Sequence, residues 1–228
     1  MSGKIKILVA DDEPVIRMFV RANLSARGYD VFLAKDGAEA LELAERHLPD
    51  LIILDISMPV IDGIEVCRNL RAWTDTPIII LSIRGEEKDK VLALNEGADD
   101  YITKPFGIEE LIARINVALR HVAKPSGAPI IMAGELEIDL ADRSVKLRGQ
   151  RINLTRTEFK LLAYLAINRG KSLTHSDILH GVWGSEYERE RELVRVFIGQ
   201  LRRKIEIDPL NPRFILTRQG LGYQFTEN

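Results

Sequence analysis

Four places in this 228-residue chain carry side chains that could do chemistry together: Asp11-Asp12, Asp55, Ser82 and Lys104. Each closes or directly follows a short apolar run. Ile5–Ala10 leads into Asp11-Asp12-Glu13, Leu51–Leu54 into Asp55, Ile78–Ser82 ends in a hydroxyl, and Tyr101–Thr103 leads into Lys104-Pro105. Uninterrupted apolar runs of this length read as strands buried on both faces. As strands of one parallel sheet they deliver all these side chains to its C-terminal edge, where open α/β sheets hold their sites. Three carboxylates crowded there repel one another and raise each other's pKa. A divalent cation that prefers hard oxygen, Mg²⁺, relieves the repulsion. Lys104 adds a fixed positive charge and Ser82 a hydroxyl able to bind a new oxygen. The set is suited to placing a phosphoryl group on Asp55. Taken singly, each residue has a plainer reading: Asp55 as a turn former, Asp11-Asp12 as a helix cap before Pro14, Lys104 as a solvated lysine, Tyr101 as a half-buried strand aromatic. Their joint placement favours the common site.

The elements that must position these groups alternate regularly. With Val31–Ala34 there are five strand-like runs, separated and followed by amphipathic stretches at Pro14–Arg27, Ala38–His47, Ile64–Ala72, Lys88–Glu96 and Ile108–His121. Five β–α units in succession predict a doubly wound parallel five-stranded α/β sheet with helices on both faces. A phosphatase of the haloacid-dehalogenase kind also uses an aspartyl nucleophile and Mg²⁺, but it needs a second carboxylate two residues on, where this chain has Ser57. A flavodoxin-like cofactor carrier needs a phosphate-cradling loop after the first strand, and Asp11-Asp12 would repel phosphate there. If Asp55 is phosphorylated, Ser82 can follow the new oxygens only by moving its strand and the next helix. Tyr101 is the nearby bulky side chain that could fill the vacated space.

Composition bounds the setting. Charged residues are 29% and hydrophobic residues 46%, the balance of a globular chain. Cys67 is the only cysteine and has no internal partner, which suits a reducing compartment. No apolar run approaches the roughly 18 residues of a membrane span, so a cytoplasmic protein with no membrane partner is expected. The net charge of −2 hides an asymmetry: residues 1–121 carry 15 Lys+Arg against 21 Asp+Glu, and residues 122–228 carry 17 against 13. An acidic half joined to a basic one points to two domains, the second facing a polyanion. The Pro- and Gly-containing stretch from Val122 to Pro129 reads as a linker. The expected division is 1–121, a linker at 122–130, and 131–228.

Beyond the linker, short alternating strands are expected at Leu136–Asp139, Ser144–Leu147 and Arg151–Leu154. Thr155 with Glu158 forms a capping box for a helix at Arg156–Asn168. A second helix opens at Thr174, a third runs from Glu190 to Glu206, and Phe214–Thr217 with Gly222–Phe225 reads as a hairpin. Along the third helix Val194, Phe197, Ile198, Leu201 and Ile205 make one apolar stripe. Arg195, Arg202 and Arg203 are expected on or beside the opposite face, with Val196 and Gly199 also exposed. A helix that buries one side and shows arginines on the other suits DNA, since arginine contacts both phosphates and guanine edges. With the preceding helix and the terminal hairpin it reads as a winged helix-turn-helix.

The first half resembles the receiver domain of two-component response regulators through Asp11-Asp12, Asp55 with Met58-Pro59 and Asp62-Gly63, Ser82, Gly97-Ala98-Asp99-Asp100-Tyr101 and Lys104-Pro105-Phe106. The second resembles the effector domain of the OmpR/PhoB class through Leu154-Thr155 with Glu158-Phe159, Val182-Trp183-Gly184, Leu201-Arg202 with Lys204, and Gly220 with Gly222-Tyr223. The resemblance implies a CheY-like (flavodoxin-like) receiver followed by a winged helix-turn-helix DNA-binding domain. It further implies that a sensor histidine kinase phosphorylates Asp55. Asp12, Asp55 and the Ser57 backbone carbonyl would ligate Mg²⁺ and Asp11 would act through water. Lys104 would contact the phosphoryl group across a cis Lys104–Pro105 bond, with Ser82 and Tyr101 as the switch pair. Lys90, Asp99, Asp100, Glu110 and Arg114 would form ion pairs in a homodimer assembled on phosphorylation, and His121 stands where the class usually has an arginine. Arg195, Gly199, Gln200, Arg202, Arg203 and Arg218 would contact promoter DNA, with RNA polymerase as a further partner. Segments such as Leu70-Arg71-Ala72-Trp73 and Gly199-Gln200-Leu201-Arg202 look closer still to the Kdp-type regulators of potassium-uptake genes.

Overall fold

A computed structural model of the chain describes residues 4–83, 87–119 and 130–226. Of the expectations above, those on His121 and the linker 122–129 lie outside the described residues. So does the side chain of Lys90. The chain divides into two compact units, Met1–Arg120 and His121–Asn228.

In the first unit, β1 (Lys6–Ala10), β2 (Asp30–Ala34), β3 (Leu51–Asp55), β4 (Ile78–Ile83) and β5 (Asp100–Lys104) pair in parallel in the order β2-β1-β3-β4-β5. The connecting helices are α1 (Pro14–Ala26), α2 (Gly37–His47), α3 (Gly63–Arg71) and α4 (Glu87–Asn95), with α5 (Ile108–Leu119) closing the unit. Every residue of β3 is buried, as a central strand covered on both faces requires. Ile7, Val9, Leu51, Ile53, Ile79, Leu81 and Ile102 from the strands form one core with Val20, Leu24, Leu111 and Ile115 from α1 and α5. The strand order reverses between β1 and β3, so the crevice at their C-terminal ends is the topological switch point.

Local chemistry sets where α3 begins. The Asp62 side chain accepts from the Glu65 amide at 2.8 Å, capping the helix. Gly63 follows directly beneath Asp55: a Cβ at that position would lie 2.0 Å from the Asp55 carbonyl oxygen. Only glycine lets α3 start so close to the end of β3.

The second unit opens with an antiparallel four-stranded sheet, β6 (Ile130–Ala133), β7 (Leu136–Asp139), β8 (Ser144–Leu147) and β9 (Gln150–Ile152). Helices α6 (Arg156–Ile167), α7 (His175–Val182) and α8 (Arg191–Ile205) follow. A three-stranded sheet pairs β10 (Ser172–Leu173) with the terminal hairpin of β11 (Ile215–Arg218) and β12 (Gly222–Phe225). Thr155 and Thr174 each cap their helix through a complete capping box. Leu161, Leu165, Leu179, Val194, Phe197 and Leu201 are buried where the three helices meet.

Two strands were not expected. Residue 130 belongs to β6, which pairs with β7 through Ile131 and Ile138, and not to a linker. Its four apolar residues lack the alternation that marks a half-buried strand, although Ile130 and Met132 do face outward. β10 has two residues and owes its existence to pairing with β12, which no local pattern announces.

Candidate functional site

The C-terminal edge of the first sheet gathers the expected side chains. Asp11 leaves β1 fully buried, Asp55 closes β3 at 2% exposure, and Ser82 lies near the end of β4 at 1%. Asp12 is exposed at the rim. One oxygen from each of Asp11, Asp12 and Asp55 lies within 4.8 Å of the others. Lys104, the last residue of β5, brings its Nζ to 2.8 Å from Asp11 Oδ2, 3.0 Å from Asp55 Oδ1 and 3.5 Å from Glu13 Oε1. The other Asp11 oxygen accepts the Glu13 amide at 2.9 Å, and this turn aims Oδ2 at the lysine. Ser57, two residues after Asp55, is exposed in the loop before α3. The Lys104–Pro105 bond is cis.

Charge in this crevice is not fully answered. Burial pushes the Asp55 carboxyl above its ordinary value; Lys104 opposes the rise, and Asp11 and Asp12 add to it. Burial also works against the Lys104 charge, but the Asp11 and Asp55 carboxylates outweigh it and raise that pKa. Asp11 Oδ2 and Asp55 Oδ1 stand at ion-pair distance from the ammonium yet accept no aligned hydrogen bond, and Ser82 Oγ is buried without a partner. Two buried carboxylates and one at the rim, sharing a single ammonium, match the donor set of a hard cation. The strand register puts Asp55 opposite Leu81, so Ser82 is the next residue along the neighbouring strand at the same edge of the sheet. Tyr101 lies one strand further out, opposite Ile80, and is partly buried.

The charges expected at a dimer face sit differently. Asp99 is 4% exposed. It binds Arg71 at 2.7 Å and accepts the Ile78 amide at 2.9 Å, which ties α3 to the start of β4. Within the single chain it acts as a fastening between α3 and β4. Asp100 and Arg114, also buried, pair with each other at 3.0 Å, and Arg114 binds Glu110 at 2.9 Å. The sequence signal for the Arg71–Asp99 pair was absent, because the two are 28 residues apart. Cys67 is buried and its thiol is pushed up to about 12, which leaves it protonated and inert at neutral pH.

In the second unit, α8 turns its apolar stripe inward and leaves Arg195 and Arg203 exposed. Val196 and Gln200 were expected on the exposed face and are instead 8% and 6% exposed, since the buried stripe is wider than its aliphatic residues alone indicate. Arg202 is engaged by the hairpin: its Nε and Nη2 donate to the Ile215 carbonyl at 3.0 and 2.6 Å, and Nη2 also to Thr217 Oγ1 at 2.8 Å. Its guanidinium lies over the Tyr223 ring at 5.8 Å. It joins the helix to the hairpin and is not presented as a free base reader. Glu206, missed in the sequence, completes the joint by accepting the amides of Arg213, Phe214 and Ile215 at 2.7 to 2.9 Å. Arg218 is exposed on β11 and donates to Gln224 of β12.

Comparison with known proteins gives two family matches: the response regulator receiver domain over residues 7–116, and the C-terminal domain of transcriptional regulatory proteins over residues 149–225. The chain is 45% identical to the transcriptional regulatory protein KdpE of Mycobacterium tuberculosis, over 96% of this chain and 98% of that one. It is 44% identical to the KDP operon transcriptional regulatory protein KdpE of Escherichia coli K12, with the same coverage. It is also 44% identical to the response regulator MprA of Mycobacterium bovis, over 98% of both chains. The crystal structure of DrrB, described as an OmpR/PhoB homolog of Thermotoga maritima, matches with a TM-score of 0.52 and 32% identity, covering 98% of this chain and all of that one.

Proposed function

The chain belongs to the response regulators that join a receiver domain to an OmpR/PhoB-type DNA-binding domain, transcriptional regulators served by a sensor kinase, and from that membership we propose that its signal is a phosphoryl group carried on Asp55. The observation that carries this reading is the crevice itself, with Asp55 at its centre, Lys104 3.0 Å away and the partnerless Ser82 hydroxyl near the end of the adjacent strand. Asp55 attacks the phosphorus of a kinase phosphohistidine; a P–O bond forms, the P–N bond breaks, and the departing imidazole takes up a proton. Lys104 holds one phosphoryl oxygen and keeps the acyl phosphate in register. Asp11, Asp12, Asp55 and the Ser57 backbone carbonyl would hold Mg²⁺, which supplies positive charge against the incoming phosphoryl oxygens. Three clustered carboxylates facing a single ammonium support that assignment.

Ser82 then donates to a phosphoryl oxygen, and Tyr101 fills the space its movement opens. The exchange alters the face built from α4, β5 and α5. There Asp100, Glu110 and Arg114, now paired within one chain, would trade partners with a second copy in a homodimer, with Lys90 as a further expected partner. Paired effector domains bind two promoter half-sites about one helical turn apart and engage RNA polymerase. DNA is met by Arg195, Gly199 and Arg203 of α8 and by Arg218 of the hairpin, while Arg202 positions the hairpin. The regulated genes are those of a Kdp-type potassium-uptake operon, a reading supported by the KdpE relatives and closely rivalled by MprA. The protein works in the cytoplasm, in keeping with an unpaired cysteine and with no helix among the described residues long and apolar enough to cross a membrane.

Acetyl phosphate with Mg²⁺ tests the phosphoacceptor. The wild-type chain is expected to gain one acid-stable-at-low-temperature, base-labile phosphoryl group and Asp55→Asn none. Undiminished labelling of Asp55→Asn would move the acceptor elsewhere.

A further inference from the structure

Along α8, residues 191, 195, 199 and 203 follow one another at four-residue spacing, as a ridge that winds slowly around the helix, and they read Arg, Arg, Gly, Arg. The three arginines are exposed. Glycine in a helix interior costs stability relative to alanine, because its backbone loses the most freedom on folding. Gly199 lies mid-helix, in a fifteen-residue element, without the positive φ that would demand glycine. A Cβ built on it meets nothing within 4 Å. Neither backbone conformation nor packing inside the chain asks for glycine here, and the position is left as a gap between two exposed arginines.

We propose that Gly199 is the point of closest approach between α8 and the floor of the DNA major groove, a notch in the arginine ridge that lets base edges come up against the helix backbone. The inference rests on the reading of α8 as the DNA-contacting helix. Arg195 and Arg203 flank the notch eight residues apart, about 12 Å along the helix axis. Their guanidiniums reach phosphates on either side of the notch while the notch lies over the base pairs. On α8 Gln200 and Val196 are turned inward, Arg202 is held by the Ile215 carbonyl and Thr217, and Glu192 lies 3.4 Å from Arg195. The basic ridge complements the polyanion, and the missing side chain sets how deeply the helix enters.

The test uses the full chain with beryllofluoride and Mg²⁺, a duplex selected by the wild-type protein from a random pool, and a scrambled duplex. Gly199→Ala is expected to melt a few degrees higher than wild type yet bind the selected duplex roughly three-fold more weakly. Gly199→Leu is expected to lose roughly ten-fold or more on the selected duplex and far less on the scrambled one, with an unchanged salt slope, because no phosphate contact is removed. Arg195→Ala and Arg203→Ala report separately on the helix. If they weaken binding while Gly199→Leu binds as wild type does, α8 remains the DNA helix and the notch is overturned. If none of the four substitutions changes binding, α8 does not face DNA and the notch falls with the reading beneath it.

Discussion

Lys104 reaches from the end of β5 across β4 to within 3.0 Å of Asp55 Oδ1 at the end of β3, and on the far side its ammonium meets Asp11 Oδ2 at 2.8 Å. One cation therefore answers two buried carboxylates, with the rim carboxylate of Asp12 still to be balanced. The crevice holds more negative charge than the protein itself compensates. Its chemistry and its effect on stability both follow from that imbalance.

Removing the charge of Asp55 should stabilise the free protein. Its folded-state pKa is raised, so the folded chain binds the proton more readily and ionisation at neutral pH costs stability. Asp55→Asn is expected to unfold at higher urea than wild type at pH 7 in a chelator. The gap should close as pH falls through the raised pKa toward ordinary carboxylate values. A variant less stable than wild type at pH 7 would show that the carboxylate is fully compensated.

Mg²⁺ should restore the balance by mass action. At a hundred times its dissociation constant the cation is expected to stabilise the wild-type chain by about 2.7 kcal/mol. Thermal melts with and without Mg²⁺ should show a much smaller shift for Asp12→Ala. Equal shifts in the two proteins would remove Asp12 from the cation's ligands.

Asp99 is expected to act on stability. Asp99→Ala strands the Arg71 guanidinium, whose side chain is 11% exposed, and leaves the Ile78 amide without its acceptor. A loss of about 3 kcal/mol in urea unfolding is expected. A stable Asp99→Ala chain with impaired dimerisation would restore the interface role expected from the sequence.

Arg203 and Arg202 should separate contact from positioning. Arg203→Ala is expected to weaken DNA binding and to reduce the salt slope by about one, with an unchanged melting temperature. Arg202→Ala frees the hairpin from the helix, so affinity and melting temperature should fall together. A salt slope unaffected by Arg203→Ala would turn that residue away from the phosphates.

Much of the receiver was legible because its strands are short apolar runs and its site residues sit at their ends. Leu51–Leu54 followed by Asp55 told both the strand and its functional edge. What stayed hidden depends on distant partners. Asp99 looked like a surface charge until Arg71 closed on it from α3. Gln200 looked like a base reader because polarity alone does not tell which side of a helix is covered. Arg202 carried the right chemistry for DNA, but its place beside Ile215 and Thr217 follows from how the hairpin folds back. β10 exists only through β12. Periodicity reports burial along one element, whereas these features come from contacts between elements.

The central claim is that the charge placed on Asp55 controls DNA binding. Its most direct measurement is affinity for a Kdp-type promoter fragment, against scrambled DNA, with and without beryllofluoride and Mg²⁺, for wild type and Asp55→Ala. The account predicts tighter, specific binding by wild type on adding beryllofluoride and no response from Asp55→Ala. Equal affinity in both proteins, with and without beryllofluoride, would contradict it and describe a regulator that binds DNA regardless of its receiver.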